Sequence, residues 1–593
     1  MPYQFIYDLV ETCSKKGVIH AVICPGSRSA PLTLAFVNHP NIKCFVIPDE
    51  RSAAFMALGI SQSTNLPVAL VCTSGSAGYN FAPAVAEAFF QHIPLLVFTA
   101  DRPPEMIDQL DGQTIRQKNL YGPHVKKYFE LPVDENKAND WFVNRTINEA
   151  INLSTTGQQG PVHINAPFRE PFYPLPHESI VYNSSRIINV LMSSQQLSSE
   201  LVSKLKSQWK SFKKILVVAG QCSYNSKIIA SIQTLLKKIK IPIIGELLTN
   251  LHSVPNVIQH AELFLGQSPD GLKETLHPEL LITFGQSVLS KNVKLFLRKY
   301  PAIQHWHIQA DGDYADTFQN LTTVLRCTPE FFFDNIPATE AKETFRNQKQ
   351  NNYYQLWQAE EHRAIQAKLK FCGEVSGGEF NFVRNLMEAL PLRCNLHLAN
   401  SMSVRYANLV TLSARQKGIR VFSNRGTSGI DGCTSTAVGH CLAGEIPNIL
   451  ITGDMAFFYD RNAFWHNYAI PNLRVAILNN HGGIIFNMID GPAGRHEVDE
   501  YFVTHQPLNA KSMADEFGVS YSLLEASKPP TSSLPAWPAG RHLPASTRKW
   551  KTSIKNFYEF DGKTKILELE SSQQKTIDEF NTLKTLMKQS YDR

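Results

Sequence analysis

The sequence predicts an α/β protein built from three doubly wound domains, each with a parallel sheet. Short runs rich in Val, Ile and Leu alternate with longer helical patterns, which is typical of parallel βα units. A chain of 593 residues is also too long to fold around one hydrophobic core, so about three domains are expected. Most of the apolar runs end in Gly, Pro or charged residues. Since open parallel sheets bind ligands at the carboxyl ends of their strands, we expect the functional residues there.

The first predicted domain covers residues 1–180. Its strands should be short and buried, and the segment PVHINAP should close the domain at 161–167. The strands before it end in Gly, Pro or charged loops, which makes these loops candidate ligand sites. They are predicted at 21–26, 43–50, 67–75 and 94–103.

The second predicted domain covers residues 190–340. It begins with the apolar run KKILVVAG at 213–220 and continues with further runs of the same kind. It contains no G-x-G-x-x-G loop, so a bound dinucleotide is not expected. A charged segment at 340–368 follows, and we interpret it as a linker helix.

The third predicted domain covers residues 370–593. Its strands have polar, Gly-rich ends like those of the first domain, and the two domains could be copies of one doubly wound plan. The strands are predicted at 395–401, 419–426, 447–454, 473–483 and 563–570.

A Pro-rich segment at 527–550 interrupts this third domain. It contains five prolines, no acidic residue and no apolar periodicity. Proline at this density cannot join a central strand or the interior of a helix. Because the segment has little to bury, we predict an exposed, mobile insertion that can be shortened without loss of activity.

Composition excludes several classes of protein. Hydrophobic residues at 43% and charged residues at 19% fit an ordinary globular protein, and a net charge of +6 does not indicate a nucleic-acid partner. The ten cysteines form no C-x-x-C pair, which argues against a zinc site and for a reducing compartment. We recognise neither a signal peptide nor a membrane span, so we expect a cytoplasmic protein with no membrane partner.

The strongest chemical signal is a pair of polar strand ends in the third domain. The segment ITGDM ends one predicted strand at 451–455, and ILNNHGG ends the next at 477–483. The two ends should lie side by side and offer a carboxylate, an amide oxygen and a loop carbonyl. Such hard oxygen ligands suit magnesium that holds a diphosphate. Gly-Asp and Asn-Asn are each common in turns, so the prediction depends on their occurring together.

The two segments resemble the metal motif of thiamine-diphosphate enzymes, in which GDG is followed after a spacer by NN; Met455 replaces the third glycine here. The resemblance implies that Asp454, the Asn480 side chain and the Gly482 carbonyl bind Mg²⁺ (or Mn²⁺) and, through it, thiamine diphosphate. It also implies a catalytic glutamate at a strand end of the first domain, and Glu50 fills that position. A buried carboxyl there would share a proton with the aminopyrimidine ring of the cofactor. The alternative for Glu50 is a solvated surface glutamate.

Seven segments narrow the resemblance to the 2-succinyl-5-enolpyruvyl-6-hydroxy-3-cyclohexene-1-carboxylate synthases of menaquinone biosynthesis. The resemblance implies decarboxylation of 2-oxoglutarate and addition of the resulting succinyl-semialdehyde unit to isochorismate. It covers about residues 1–525 and 553–570 and is weak between 190 and 340. The segments are PGSRSAPLTLAF (25–36), DERSAAFMALG (49–59), TSGSAGYN (73–80), ADRPPE (100–105), NSMSVR (400–405), SNRGTSGIDG (423–432) and NNHGGIIF (479–486).

Four arginines follow predicted strand ends in the first and third domains. Both implied substrates are dicarboxylates, and the planar guanidinium group binds a carboxylate through two parallel hydrogen bonds. Any one of the four could instead be a solvated or structural arginine. The arginines are Arg28, Arg102, Arg405 and Arg425, and the resemblance adds Ser27, Gln113, Lys291 and Ser401 as contacts to the substrate or the cofactor adduct.

The resemblance also assigns apolar residues to the cofactor site. Ile430 would hold the cofactor in its bent form, and Ile485, Phe486 and Ile489 would form an apolar wall near its thiazolium ring. Ordinary core packing is the alternative for each of these residues.

Two other functions stay open at this point. One is another thiamine-diphosphate 2-oxoacid decarboxylase or carboligase, against which the set of arginines argues. The other is a non-catalytic paralogue, which the Pro-rich insertion favours and the presence of Glu50, Asp454 and Asn480 disfavours. In this superfamily the first domain of one subunit faces the third domain of another, so a homodimer or homotetramer is implied.

Overall fold

A computed structural model of the chain describes residues 3–134, 136–175, 178–183, 185–192, 196–337, 345–374, 378–488, 491–526 and 545–592, the side chains of 345–348 and 545–549 excepted. Within these residues the strands form three sheets of six, five and six strands. All strand pairs in them are parallel, and α-helices lie between most successive strands. The predicted α/β class with three doubly wound sheets is therefore confirmed.

The first sheet lies within residues 20–167. Its strands are β1 (His20–Ile23), β2 (Lys43–Val46), β3 (Val68–Cys72), β4 (Leu95–Asp101), β5 (Tyr128–Glu130) and β6 (Val162–Pro167). The surrounding helices are α1 (Gln4–Lys15), α2 (Ala30–Val37), α3 (Glu50–Thr64), α4 (Ser76–Asn80), α5 (Ala82–Gln91) and α6 (Lys137–Thr155). The central strands β3 and β4 are buried along their whole length, as expected for apolar runs covered on both faces. The strand order is β2-β1-β3-β4-β6-β5.

The second sheet lies within residues 215–325 and has the order β11-β10-β9-β7-β8. Its strands are β7 (Ile215–Ala219), β8 (Ile243–Gly245), β9 (Leu280–Phe284), β10 (Gln304–Ile308) and β11 (Thr323–Leu325). The helices are α7 (Ser199–Ser211), α8 (Ser226–Lys238), α9 (Ala261–Gln267), α10 (Asp270–Leu276), α11 (Lys291–Lys299) and α12 (Pro329–Asn335). A long helix, α13 (Phe345–Glu374), follows where the linker helix was predicted, and its buried Trp357 packs against Phe264 and Phe296.

The third sheet repeats the strand order of the first sheet, as β13-β12-β14-β15-β17-β16. Its strands are β12 (Asn395–Leu398), β13 (Arg420–Phe422), β14 (Asn448–Gly453), β15 (Leu473–Asn479), β16 (Ser520–Glu525) and β17 (Lys565–Glu570). The helices are α14 (Glu379–Glu388), α15 (Met402–Val410), α16 (Cys433–Ala443), α17 (Asp454–Tyr459), α18 (Lys511–Glu516), α19 (Ala545–Tyr558) and α20 (Gln573–Gln589). Helix α16 packs along α3, which joins the first and third regions: the carbonyl oxygen of Thr436 lies where a side chain on Gly59 would begin.

The sequence missed β5, β11 and β16, and each is an edge strand. β5 and β11 have only three residues, and β16 is mostly half-exposed or exposed. Such strands lack the continuous apolar run that marks a central parallel strand, so composition alone did not reveal them.

The predicted insertion at 527–550 extends too far. Helix α19 begins at Ala545, and Trp550 is buried with its ring edge-on to Phe382 at a centroid distance of 5.7 Å. Residues 545–550 therefore belong to the packed domain, and residues 527–544 lie outside the described part of the chain.

In the described ranges, no helix combines the length and the apolar character needed to cross a membrane.

Candidate active site

The strand ends that carry the predicted metal motif lie next to each other. β14 and β15 are neighbours in the third sheet, and Gly453 at the end of β14 is in register with Leu478 in β15. Asp454 then begins α17, and Asn480 directly follows β15. The structure thus brings Asp454 and Asn480 together at the carboxyl ends of two neighbouring strands, as the sequence predicted.

Asp454 is a buried carboxylate with few partners. Its Oδ2 accepts a hydrogen bond of 2.8 Å from Gln506 Nε2. Burial raises the pKa of Asp454, while Gln506 and the backbone amides of Met455 and Gly482 act in the opposite direction. A carboxylate that is removed from water in this way is stabilised by a nearby cation.

Asn480 presents an oxygen that no group of the described chain satisfies. Its Nδ2 donates a 2.8 Å hydrogen bond to Glu379 Oε1, and Glu379 also accepts from Ser571 Oγ at 2.8 Å. The Oδ1 atom of Asn480 is buried and has no hydrogen-bond partner among the described residues. Because the carboxylate of Glu379 accepts hydrogen bonds, it fixes the amide nitrogen toward itself and leaves Oδ1 available as a ligand.

Gly482 lies where a side chain has no room. A Cβ atom there would come within 2.8 Å of Val503 Cγ1 and 2.9 Å of the Val503 carbonyl oxygen. The Gly482 carbonyl accepts one hydrogen bond, from the amide of Ile484 at 3.0 Å, and a carbonyl oxygen can take a second partner. The loop after β15 therefore approaches the site with backbone alone.

These three oxygen donors fit the metal that the motif predicts. The described residues contain no cluster of three or more His, Cys, Asp and Glu side chains that could hold a metal alone. The donor set is instead one carboxylate, one amide oxygen and one backbone carbonyl. Mg²⁺ is commonly bound by a few protein oxygens together with phosphate oxygens and water, so the set suits a metal that also holds a diphosphate.

Three of the four apolar residues that were predicted to line the cofactor site lie in the described part of the chain. Ile430 is partly exposed and packs against Ala399, Cys433 and Ala456; the last of these lies in α17, two residues after Asp454. Ile485 packs against the large core that includes the third sheet, and the Phe486 ring lies edge-on to Phe502 at 5.6 Å. Ile489 lies outside the described residues.

Arg405 and Arg425 lie close enough to repel each other. Arg405 Nη1 donates to the carbonyl oxygen of Ser401 at 2.6 Å, and Arg425 Nη1 donates to Asn400 Oδ1 at 2.9 Å. Burial lowers the pKa of both guanidinium groups, and Arg425 further lowers that of Arg405. Neither arginine forms an ion pair with a described residue, and Arg425 Nε is buried without a hydrogen bond. Glu262 near Arg405, and Glu246 and Glu87 near Arg425, favour the charged forms of the two arginines but form no ion pair with them. The two neighbouring cations can therefore take an anionic ligand.

Lys291 joins Arg405 in one cavity of about 100 Å³. Lys291 begins α11 of the second region, and two acids hold its flanking residues. The buried Glu246 accepts the amide of Ser290 at 2.7 Å, and the half-buried Glu262 accepts the amide of Asn292 at 2.9 Å. The cavity is closed by side chains from three parts of the chain, among them Glu262, Leu289, Arg405, Asn408, Phe580 and Lys584.

The first region supplies a second group of predicted residues. Arg28 Nη1 donates to the Phe168 carbonyl at 2.9 Å, and its guanidinium lies 4.5 Å from the Phe172 ring centre. Arg102 forms an ion pair of 2.9 Å with Asp111 and donates to the Gly112 carbonyl at 2.7 Å. Burial, and secondarily Arg102, lower the pKa of Arg28. Ser27 and Gln113 lie exposed nearby in the chain.

Glu50 is the first residue of α3 and not the last residue of a strand, because β2 ends at Val46. Its side chain is partly exposed, and it contributes to raising the pKa of the buried thiols of Cys24 and Cys72, which burial raises first. Glu50 therefore lies beside the ends of β1 and β3. Among the described residues, no hydrogen bond or ion pair reaches the Glu50 carboxylate, and none connects it to Asp454 or Asn480.

Sequence reasoning missed several residues of this site. Glu379 and Gln506 orient the predicted ligands, and Glu262 and Lys584 line the cavity. They belong to helices and loops far from the motifs in the chain, so no local pattern marks them. Buried Glu without a local partner in the sequence is the one signal that could have drawn attention to Glu379.

Two family models match parts of this chain. Residues 7–120 match the family model described as the N-terminal TPP binding domain of thiamine pyrophosphate enzymes, and residues 189–398 match the one described as the middle domain of thiamine pyrophosphate. Three relatives carry the name 2-succinyl-5-enolpyruvyl-6-hydroxy-3-cyclohexene-1-carboxylate synthase.

The three relatives come from different bacteria. The protein of Cytophaga hutchinsonii is 42% identical over 590 residues, covering 99% of this chain and 100% of the relative. That of Flavobacterium johnsoniae is 40% identical over 516 residues, with 87% and 90% covered. That of Bacteroides thetaiotaomicron is 34% identical over 532 residues, with 88% and 90% covered.

Proposed function

This chain belongs to the 2-succinyl-5-enolpyruvyl-6-hydroxy-3-cyclohexene-1-carboxylate synthase family of thiamine-diphosphate enzymes, and we propose that it carries out that synthesis in menaquinone biosynthesis. The family predicted from the sequence motifs is thereby confirmed, as is thiamine diphosphate as the cofactor. The reaction joins the succinyl-semialdehyde unit, left when 2-oxoglutarate loses carbon dioxide, to isochorismate. The enzyme is a transferase whose substrates are small dicarboxylic acids.

The metal is part of the proposal. Asp454, Asn480 and Gly482 would hold Mg²⁺ or Mn²⁺, and the metal would hold the diphosphate of the cofactor. The observation that carries this assignment is the buried Asn480 Oδ1, which is turned toward the site by Glu379 and has no partner among the described residues. An unsatisfied buried oxygen is unfavourable unless a ligand completes it.

Thiamine diphosphate, when bound, supplies the electron sink that decarboxylation of a 2-oxo acid requires. The chain has to hold the cofactor, orient the substrates and move a proton. Glu50 would hold a proton at the aminopyrimidine ring nitrogen, which is the step that general acid–base catalysis assigns to a carboxyl group. Ile430 would hold the cofactor in place, and Ile485, Phe486 and Ile489 would keep water from the reacting centre.

The substrates require cations that bind carboxylates. Arg405, which lines one cavity with Lys291, and the neighbouring Arg425 are suited to this role because neither arginine forms an ion pair with a described residue. Arg28, Arg102, Ser27, Gln113 and Ser401 would complete the contacts to substrate or cofactor. Arginine suits the task because its planar group makes two parallel hydrogen bonds to one carboxylate.

A homodimer or homotetramer is also proposed. Glu50 follows β2 of the first sheet and Asp454 follows β14 of the third, and no hydrogen bond or ion pair among the described residues joins their side chains. The neighbours of Glu50, Asp49 and Arg51, do bond to Asn462 and Tyr459 of the third region in the same chain. A second copy would bring the first region of one subunit against the third region of the other. Sedimentation of the purified protein with and without cofactor tests this: a monomeric species that retains full activity would contradict the proposal.

The function is tested with purified protein, Mg²⁺ and thiamine diphosphate. We expect carbon dioxide from 2-oxoglutarate, faster release when isochorismate is present, and a product containing both carbon skeletons by mass spectrometry. Release of carbon dioxide at the same rate with and without isochorismate, and no joined product, would indicate another decarboxylase or carboligase. Cofactor binding without turnover of any 2-oxo acid would indicate a non-catalytic paralogue.

A further inference from the structure

The loop after β13, residues 423–430, lies where all three regions of the chain meet. Gln221 of the second region donates through Nε2 to the Ser423 carbonyl at 3.0 Å. Gln286, also of the second region, donates to the Gln91 carbonyl of α5 at 3.2 Å. The loop itself carries Arg425, which forms no ion pair with a described residue. Its position thus depends on contacts from outside its own sheet.

Glu87 of α5 holds this loop through its side chain. It is fully buried, with Oε1 accepting the amide of Gly426 at 2.8 Å. Its Oε2 accepts both the amide and the hydroxyl of Thr427, each at 2.6 Å. Both carboxylate oxygens therefore accept from two consecutive residues that directly follow Arg425, some 340 positions away in the chain, and Oε1 also accepts from Gln91 Nε2 of the same helix. Bonds to a charged, buried acceptor are among the stronger hydrogen bonds in proteins.

Gly426 allows the loop to reach Glu87. A Cβ atom there would lie 2.8 Å from the Glu87 carbonyl oxygen and 3.0 Å from Phe90 Cβ. The backbone of the loop thus contacts α5 directly, which shortens the distance that the Glu87 side chain has to span. A loop pressed this closely against a helix has little freedom to shift.

Asn400 also holds the loop through its side chain. Its Nδ2 donates to the Asn424 carbonyl at 2.7 Å and to the Gly429 carbonyl at 2.6 Å. Its Oδ1 accepts from Arg425 Nη1 at 2.9 Å. Asn400 therefore holds the loop at Asn424 and Gly429, while Glu87 holds it at Gly426 and Thr427.

We propose that Glu87 is a positioning residue that fixes the loop of Arg425 and so sets the affinity of the site for a dicarboxylic substrate. This inference rests on the proposed function, in which Arg425 binds a substrate carboxylate. Glu87 touches neither substrate nor metal motif; it acts through the backbone of Gly426 and Thr427. It also favours the charged form of Arg425 as one of two nearby acids. Precise placement matters because a bidentate contact tolerates little displacement.

The test compares Glu87→Gln and Thr427→Val with the wild type. Gln keeps the volume of Glu but offers one acceptor oxygen for two amides, and Val removes only the hydroxyl bond of Thr427. The matched control is Glu279→Gln, because Glu279 also accepts two consecutive backbone amides, from Lys213 and Lys214, at the opposite end of the second sheet. All variants are studied as the full chain with Mg²⁺ and thiamine diphosphate.

The first measurement is hydrogen–deuterium exchange of the peptide that contains residues 423–430. We expect exchange in this peptide to rise about tenfold in Glu87→Gln, less in Thr427→Val and not at all in Glu279→Gln, since a lost bond to a charged group changes local opening by about that factor. Unchanged exchange in both loop variants would overturn the inference. This result does not depend on which substrate the enzyme uses.

The second measurement is steady-state kinetics. Glu87→Gln should raise KM for one dicarboxylic substrate by about tenfold, with kcat and the affinity for thiamine diphosphate changed less than twofold. A merely structural role would instead lower kcat or the melting temperature and leave KM unchanged. If the wild type consumed neither substrate, the proposed function would fail, and the exchange experiment would still decide the role of Glu87.

A double-mutant cycle with Arg425→Ala completes the test. If Glu87 acts through Arg425, the double variant Glu87→Gln/Arg425→Ala should show the KM of Arg425→Ala alone, within about twofold. If the Glu87 substitution multiplies KM by its full factor in the absence of Arg425, Glu87 acts elsewhere and the inference is wrong. Thr427→Ser, which keeps the hydroxyl, should behave as the wild type.

Discussion

The first and third regions share one strand order, yet the arginines that follow their strands have different partners. In the first region, Arg102 already has an acidic partner in Asp111 and a carbonyl partner in Gly112. In the third region, Arg405 and Arg425 form no ion pair with a described residue, and the buried Asn480 Oδ1 has no partner among those residues. Polar atoms after the strands of the first region also remain unsatisfied, since Thr73 Oγ1, Ser74 Oγ and Arg102 Nε are buried without a hydrogen bond among the described residues. The difference between the regions therefore lies in the ion pair of Arg102. Topology indicates where a site can lie, and unsatisfied atoms indicate what it binds.

The largest effect is expected at Glu50 of the first region, whose carboxylate has no hydrogen bond or ion pair among the described residues. Glu50→Gln should reduce turnover by about 10²–10⁴-fold, because a positioned acid–base group contributes about that factor, while cofactor binding is retained. Deuterium exchange at the thiazolium carbon of bound cofactor measures the step directly. Wild-type exchange in this variant would remove Glu50 from the mechanism. Glu105→Gln, at an exposed ion pair with Arg169, is the control.

Arginine substitutions test the comparison itself. Arg405→Ala and Arg425→Ala should each raise KM for a dicarboxylic substrate by about 10–100-fold, because each loses a charge-assisted pair worth about 1.5–3 kcal/mol. Arg102→Ala should have a smaller effect on KM, since its guanidinium is already paired with Asp111. The measurement is KM for both substrates at saturating cofactor. A larger effect on KM at Arg102 than at Arg425 would contradict the expectation that the arginine without an ion pair binds the substrate.

A smaller effect is expected at Glu379, which orients Asn480. The Gln side chain in Glu379→Gln can pair with either the nitrogen or the oxygen of the Asn480 amide. Oδ1 is then no longer held in one direction. Affinity for Mn²⁺, measured by electron paramagnetic resonance with thiamine diphosphate present, should fall about tenfold, at the low end for a residue that orients a metal ligand. Ser571→Ala, which removes the second bond to Glu379, should have a weaker effect in the same direction. Unchanged Mn²⁺ affinity in Glu379→Gln would show that Asn480 does not depend on it.

The smallest effect is expected for the Pro-rich segment. Replacing residues 527–544 with a short Gly/Ser link should leave activity and oligomeric state close to those of the wild type, because surface loops of different length differ little in closure entropy. Extending the deletion through Trp550 should destabilise the third domain by about 3–5 kcal/mol, the usual effect of losing a buried large aromatic side chain. Thermal unfolding distinguishes the two. Equal stability of both deletions would contradict the packing of Trp550 against Phe382.

Sequence reasoning predicted much of the fold and the main positions of the site. The central strands were found because runs such as VALVC in β3 are apolar throughout, and Asp454 and Asn480 were found because they directly follow two such runs. The edge strands β5, β11 and β16 and the true start of α19 were missed, since they are short, half-exposed or preceded by prolines. The domain boundaries and the roles of individual site residues stay predictions.

By itself the sequence determined the α/β class, the family and the residues that follow the strands. Each of these depends on local order along the chain: apolar runs, Gly-containing ends and short motifs. Only the tertiary structure decided which of these residues already have partners and which distant side chains hold them, as Glu379 holds Asn480 and Glu87 holds the loop of Arg425. The physical reason is that a hydrogen bond between residues 101 or 339 positions apart leaves no periodicity or spacing in the sequence. Such contacts exist only once the three regions have packed together.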